Sequence, residues 1–218
     1  MLIAIAILME LFTSEGCSSC PPADALLARL RQSQPLAGVE LVVLSEHVDY
    51  WDDLGWKDPF SSPLYSERQT RHGRRAYTPQ AVVDGREDMV GSDEKGILEA
   101  AMAAAAQPHG LLQLWPAAAG KPARVSVTGL PPHGPARVVF AVVEDGLESR
   151  VERGENAGRT LRHVAVVRSL HDIGVVPAAA EKWSAEAHVP TEAAGERKRI
   201  VAFVQEVAGG RILATAAR

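Results

Sequence analysis

The sequence predicts two unlike halves, an α/β domain over residues 1–107 followed by a β-rich, antiparallel sandwich-like domain over residues 108–218. Two observations predict this. Up to about residue 107, strand-like apolar runs alternate with runs whose leucines recur at helical spacing. Beyond Gln107-Pro108-His109-Gly110, about seven short runs alternate apolar and polar residues at period two. The bulk composition fits either one large or two small folded units: 218 residues, 46% of them hydrophobic and 23% charged. A formal net charge of −4 argues against a broad basic footprint, so no nucleic-acid partner is expected. Two cysteines exclude a disulfide-stapled scaffold and any site that needs four cysteine ligands.

The elements follow in order. Met1–Met9 is nine uncharged apolar residues, far short of the ~20 that span a bilayer, so no membrane span is expected. No Lys or Arg precedes the run and no small-residue cleavage site follows it, which favours a buried strand over about Ile3–Phe12. The alternative, the apolar part of an export signal, stays open. Leu26, Leu27 and Leu30 share one face of a helix over Ala23–Gln32, with Pro21 and Pro22 in the first turn, where prolines are tolerated. Val39–Leu44 is a second buried strand, and strand, helix and strand within ~30 residues make a right-handed βαβ unit with parallel strands. An acidic, aromatic stretch without a clean period runs from Glu46 to Pro63, and a polar helix follows over roughly Leu64–Arg75. Asp84-Gly85 between the short runs Ala81–Val83 and Glu87–Val90 is a hairpin signal, and Ser92 reads as the N-cap of an alanine-rich helix, Asp93–Ala106. In the second half the period-two runs are Leu111–Trp115, Ala123–Thr128, Arg137–Glu144, Leu161–Arg168, Trp183–Val189, Arg199–Val207 and Arg211–Thr215, with one short helix expected within Ser169–Ala180.

The chemistry sits in Cys17-Ser18-Ser19-Cys20, placed between the first strand and the first helix. A helix N-terminus stabilises a thiolate, so Cys17 is expected to be an accessible nucleophile of depressed pKa. Cys20, one turn further in, is placed to resolve a mixed disulfide. Thr78-Pro79 lies directly before a strand, where proline is otherwise disfavoured. A cis bond there would set Pro79 opposite the cysteines and leave the Thr78 backbone free to pair with an extended substrate.

This order of elements resembles the thioredoxin-like fold across about residues 1–107. More narrowly, the run from Glu10 through Glu15-Gly16-Cys17-Ser18-Ser19-Cys20-Pro21-Pro22 to Asp24 resembles the DUF1223 proteins, an uncharacterised bacterial family. The stretches His47–Asp52, Gly55–Phe60, Tyr77–Gln80, Val82–Gly85, Val90–Ser92 and Asn156–Leu161 carry the same resemblance over nearly the whole chain. It implies a thioredoxin-like domain followed by a β-rich one and, since such proteins are often exported, a periplasmic or secreted location, with the cytoplasm as the alternative. It supplies no reaction. Typical disulfide oxidoreductases carry an aromatic, Gly-Pro or Pro-His near the cysteines, whereas both intervening residues here are serine. Glu10 is the nearest candidate for a buried acid serving the resolving thiol, although alternation along the strand can place it on the other face.

The expected activity is therefore thiol–disulfide exchange with a protein or small-molecule disulfide, with Cys17 as nucleophile, Cys20 as resolving thiol and Pro79 positioning the substrate. Thr78, His47, Tyr50 and Trp51 are the candidate substrate-binding residues, because the loop after the second strand faces the cysteine turn. No cofactor is required. The alternative is a binding or assembly module whose cysteines form a structural disulfide, or hold copper with a histidine such as His47 or His72. The run Arg68, Arg71, His72, Arg74 and Arg75 reads as a solvated basic face, and His109, His133, His163, His171 and His188, which lack ligand spacing, as ordinary structural residues.

Overall fold

The structure is a computed structural model and describes residues 4–72, 75–115, 122–187 and 197–218. Met1–Ile3, Arg74 and His188–Val189 thus lie outside the described residues. The chain runs β1 (Ile5–Thr13), α1 (Pro21–Ser33), β2 (Val39–His47), α2 (Pro63–Arg71), β3 (Gln80–Val83), β4 (Glu87–Val90), α3 (Glu94–Ala105), β5 (Leu111–Trp115), β6 (Ala123–Thr128), β7 (Ala136–Glu144), β8 (Leu147–Arg150), β9 (Thr160–His163), β10 (Val166–Val176), β11 (Lys182–Ala187), β12 (Lys198–Glu206) and β13 (Ile212–Ala217).

These elements do not form an α/β thioredoxin-like domain followed by a separate β-rich domain. The protein is mostly β, and eight strands from both sides of residue 107 join one mixed sheet in the order β13-β12-β7-β10-β2-β1-β3-β4. The βαβ unit is present, with β1 and β2 parallel and paired from Ile5↔Val39 to Thr13↔His47. Its outer edge is not left open, however. The Ser45 amide donates to the Ala165 carbonyl at 2.8 Å, β10 continues the sheet from there, and β7, β12 and β13 extend it. An unpaired strand edge presents orphaned amides and carbonyls, and the second half covers this one. Hydrophobic alternation reports which face of a strand is buried and carries no information about its neighbour, so the pattern could not distinguish a second sheet from an extension of the first.

The packing makes the same point. One face of the sheet carries Ile7, Met9, Leu11 and Val43 against Leu26, Leu27 and Leu30 of α1 and Ile97 and Ala101 of α3. On the other face Leu8, Val42 and Leu44 pack directly against Ala141, Val143, Val201, Phe203 and Ile212 of the second half, with Tyr65 of α2. A three-stranded sheet, β11-β6-β5, covers the far side of β7, β12 and β13 through Leu112, Leu114, Val125 and Val127.

Most local signals hold, but the helix expected over Leu64–Arg75 ends at Arg71, the strand expected to end at Leu44 runs to His47, and the run Leu161–Arg168 is divided between β9 and β10. Asp84 and Gly85 take left-handed backbone (φ 54° and 67°) between β3 and β4, the conformation a two-residue hairpin turn needs. Glycine is required at 85, because a Cβ there would stand 2.0 Å from the Gly210 carbonyl oxygen. Asp93, not Ser92, caps α3 by accepting from the Gly96 amide at 3.0 Å. The short helix expected within Ser169–Ala180 is instead the second part of β10, held against β7 through two register shifts. Among the described residues no helix is long and apolar enough to cross a membrane.

Candidate functional site

The site is built at the carboxyl ends of β1 and β2. After Thr13 the chain turns through Ser14, Glu15 and Gly16 into the cysteines, and Cys20 is the residue before the first turn of α1. Cys17 and Cys20 are joined as a disulfide, with Cα atoms 5.5 Å apart. Contrary to the expected accessible nucleophile, Cys17 is only 1% exposed and Cys20 0%, while Ser18 and Ser19 between them face solvent. Trp51 lies across Gly16, where a Cβ would come 3.0 Å from the Trp51 Cβ, and its indole N–H donates to Thr78 Oγ1 at 2.8 Å. The Thr78–Pro79 bond is cis, and Pro79 is buried beside Gly91 at the start of β3. Thr78, Trp51 and the cysteine turn are therefore brought together. The Tyr50 hydroxyl donates to Gln69 of α2 at 3.2 Å and also interacts with the Thr78 side chain.

Behind the disulfide lies a buried polar cluster drawn from the whole chain. Glu15 is its centre. Its carboxylate accepts from Trp56 Nε1 at 2.8 Å, from His163 Nε2 at 3.0 Å and from the Ser149 hydroxyl. Its backbone amide donates to Asp58 Oδ2 at 2.8 Å, the oxygen that also takes His47 Nδ1 at 2.7 Å. The His47 and His163 rings meet edge to face, with centroids 4.8 Å apart, and Phe60 closes over both. Asp24, one turn along α1 from Cys20 and so on the same helix face, completes the set. His47 Nε2, His163 Nδ1 and Asp24 Oδ1 are buried with no hydrogen-bond partner.

The electrostatics follow from this packing. Burial favours the neutral form of His47, but Asp58 beside it prevails and lifts its pKa above the ordinary imidazole value. Burial likewise opposes the Asp58 charge, and His47 with two backbone amides overcomes it and holds that carboxyl low. For Asp24 burial wins outright. His163 and His47 pull the other way, yet its pKa stays above the ordinary carboxyl value.

Glu10, the acid named from sequence, is not part of this cluster. It alternates onto the opposite face of β1 and pairs with Arg68 Nε at 2.5 Å, and Arg68 also reaches Glu46 at 3.3 Å. Arg68 is therefore a buried ion-pair partner and not a solvated surface cation. Glu15, Asp24, Asp58 and Asn156 stand inside stretches that carry the family resemblance, and these four residues meet around the cysteine turn. His163, read from sequence as structural, is in contact with Glu15. Its only local signal is an inward position on a short alternating strand. Among the described residues no three His, Cys, Asp or Glu side chains are arranged to hold a metal ion.

The family model for DUF1223, described as a protein of unknown function, matches residues 8–205. The chain belongs to the DUF1223 family. A crystal structure of a protein from Agrobacterium tumefaciens is similar over 98% of this chain and 94% of that one, at 26% identity and a TM-score of 0.79. No curated protein matches the chain. The family match covers most of β1 through most of β12, so the site falls within it, while β13 at the edge of the eight-stranded sheet lies beyond it.

Proposed function

We propose that this DUF1223 protein is a thiol–disulfide oxidoreductase working through Cys17 and Cys20. One observation carries the reading: the disulfide is backed by Glu15, Asp24, His47, Asp58 and His163, all buried. Burying so many ionisable groups beside one another opposes folding, and their position beside a cysteine pair is what favours a chemical role for this cluster. In the reducing direction, the Cys17 thiolate attacks a disulfide of the partner protein. One partner sulfur leaves as a thiolate and Cys17 is held in a mixed disulfide. Cys20 then loses its proton and attacks Cys17, releasing the second partner thiol and re-forming Cys17–Cys20. The two electrons pass to the partner, which takes up two protons. Asp24 is the nearest buried acid on the helix that carries Cys20, and it is the group assigned to exchange the Cys20 proton. Thr78 and Trp51 line the approach to Cys17. Run backwards, the same steps oxidise a partner dithiol.

The burial of Cys17 supports a second reading, a binding module whose disulfide is structural. A redox titration against glutathione or dithiothreitol separates the two, read by alkylation and mass, with Cys17→Ser and Cys20→Ser as controls. Exchange chemistry requires a two-electron midpoint between about −120 and −270 mV. A midpoint below about −300 mV leaves the binding module.

A further inference from the structure

The chain from Asp145 to Ala165 leaves the main sheet and returns to it at one place. Glu144 ends β7, Val166 begins β10, and these two residues are paired neighbours. Between them β8 and β9 form a two-stranded ladder that belongs to neither larger sheet. Both ends of the excursion turn through left-handed backbone, Gly146 at φ 67° and Ala165 at φ 53°. The Ala165 amide is held there by Asp145 Oδ1 at 2.7 Å. Among the described residues, 147–163 place no side chain in the three large apolar clusters of the core. A segment with few buried apolar contacts and adjacent ends belongs to the part of a fold that opens most easily.

Its tip is a self-closed loop. The Val151 amide donates to the Arg159 carbonyl at 2.9 Å, and the Gly158 amide to the Val151 carbonyl at 2.8 Å. That loop lies on the cysteine turn. Asn156 is fully buried, and its Nδ2 donates to the carbonyls of Glu15 (2.8 Å) and Cys17 (2.9 Å). Glu155 Oε2 accepts from the Ser18 amide at 2.9 Å, at the surface. Ser149 and His163 of the same segment also hydrogen-bond the Glu15 carboxylate, and together these bonds hold the segment against a disulfide whose cysteines are 1% and 0% exposed.

The geometry points to residues 145–165 as a lid over the disulfide, latched by Asn156 and Glu155, whose opening admits the thiol of the partner. This rests on the redox reading for its purpose, but its test does not depend on that reading. Phosphine reduction of the oxidised full-length chain reports access to the sulfur atoms whether the disulfide is catalytic or structural. Second-order rate constants with tris(carboxyethyl)phosphine are compared for the wild type, Asn156→Ala and Glu155→Ala. The expected result is a rate at least tenfold higher for Asn156→Ala and about threefold higher for Glu155→Ala, with an unchanged midpoint potential. Rates within twofold of the wild type in both variants overturn the lid. Should Asn156→Ala fail to fold, Glu155→Ala and wild-type hydrogen exchange decide. Amides of 147–163 must then exchange faster than those of β7 and β10, and equal protection refutes the proposal. A very low midpoint with a latch-dependent reduction rate would remove the oxidoreductase and keep the lid.

Discussion

Two buried ionic clusters occupy opposite faces of the same strands, and they are built differently. Neighbouring residues on β2 divide between them: Glu46 faces α2 and joins Glu10 and Arg68, whereas His47 faces the disulfide and joins Glu15, Asp24, Asp58 and His163. The first cluster is organised around a guanidinium, which keeps its proton at any ordinary pH. Burial pushes Glu10 up, but Arg68 and His72 outweigh it and hold that carboxyl low. Burial carries Glu46 well above the carboxylate range, only partly opposed by Arg68, because Glu10 has already taken the cation's charge. Arg68 also lies over the ring of the core residue Phe203 at 5.0 Å. The second cluster has no guanidinium, and its His47 is an imidazole whose pKa Asp58 raises, a group that can exchange protons. Similar burial thus serves anchoring in one place and is suited to moving protons in the other.

The largest expected effect breaks the first cluster. Arg68→Met leaves the buried Glu10 carboxylate without its cation, and removing one partner of a buried pair costs about 3–5 kcal/mol. Denaturant unfolding checks the loss. The midpoint potential of the Cys17–Cys20 pair should not move, because no member of the Arg68 cluster touches the cysteine turn. A shifted potential would mean that the two clusters are one system.

The contrast also shows what the sequence could and could not disclose. The βαβ unit, the Asp84-Gly85 turn and the cysteine turn are each encoded within about thirty residues, and each was legible. The eight-stranded sheet depends on β10 finding β2 across more than a hundred residues, and no local pattern encodes that pairing. The same holds for the site. Cys17 and Cys20 announce themselves by spacing, whereas Glu15–His163 and His47–Asp58 exist only once the carboxyl ends of the strands and the β8–β9 ladder have come together. Glu10 was the natural acid to name, being nearest in the chain, and strand alternation sends it to the other face. Asp24 carries no local signal of its own, because nothing in the sequence reveals that the first turn of α1 packs near His163 of the second half.

An intermediate effect comes from within the disulfide cluster. Asp58→Asn removes the charge that raises the His47 pKa and should cost about 1–3 kcal/mol at pH 6, the usual cost of stranding a buried polar partner. Its pH dependence is the sharper test. A histidine whose folded pKa is raised contributes stability that is complete below its unfolded value of about 6.5 and is lost as pH rises through the folded pKa. For Asp58, whose folded pKa is depressed, the contribution is present above about 3.9 and is lost as pH falls through the folded value. Wild-type stability attributable to the pair should therefore be greatest between the two and decline on either side. The variant should lie flatter across the alkaline arm, as followed by urea midpoints from pH 5 to 9. An unchanged slope would show that His47 is neutral throughout and that the ion pair contributes nothing.

The smallest effect on stability has the opposite sign, and it separates the two clusters most cleanly. An acid whose folded pKa is raised binds more protons when folded than when unfolded, so it lowers stability as pH rises from about 3.9 through the folded value, and the penalty is complete above that. Asp24→Asn removes this penalty. The variant should be more stable than the wild type near neutrality, with the difference vanishing toward pH 4. Asparagine cannot exchange the Cys20 proton, so the same substitution should slow thiol–disulfide exchange on the order of a hundredfold, the low end of what a positioned acid supplies. Glu46 in the Arg68 cluster, also raised by burial, should show the same sign of stability change, but it has no cysteine proton to exchange. Thermal unfolding across pH and stopped-flow exchange on one preparation measure both quantities. A variant that is less stable and exchanges at the wild-type rate would make Asp24 a structural residue and return the disulfide cluster to the same class as its neighbour across the sheet.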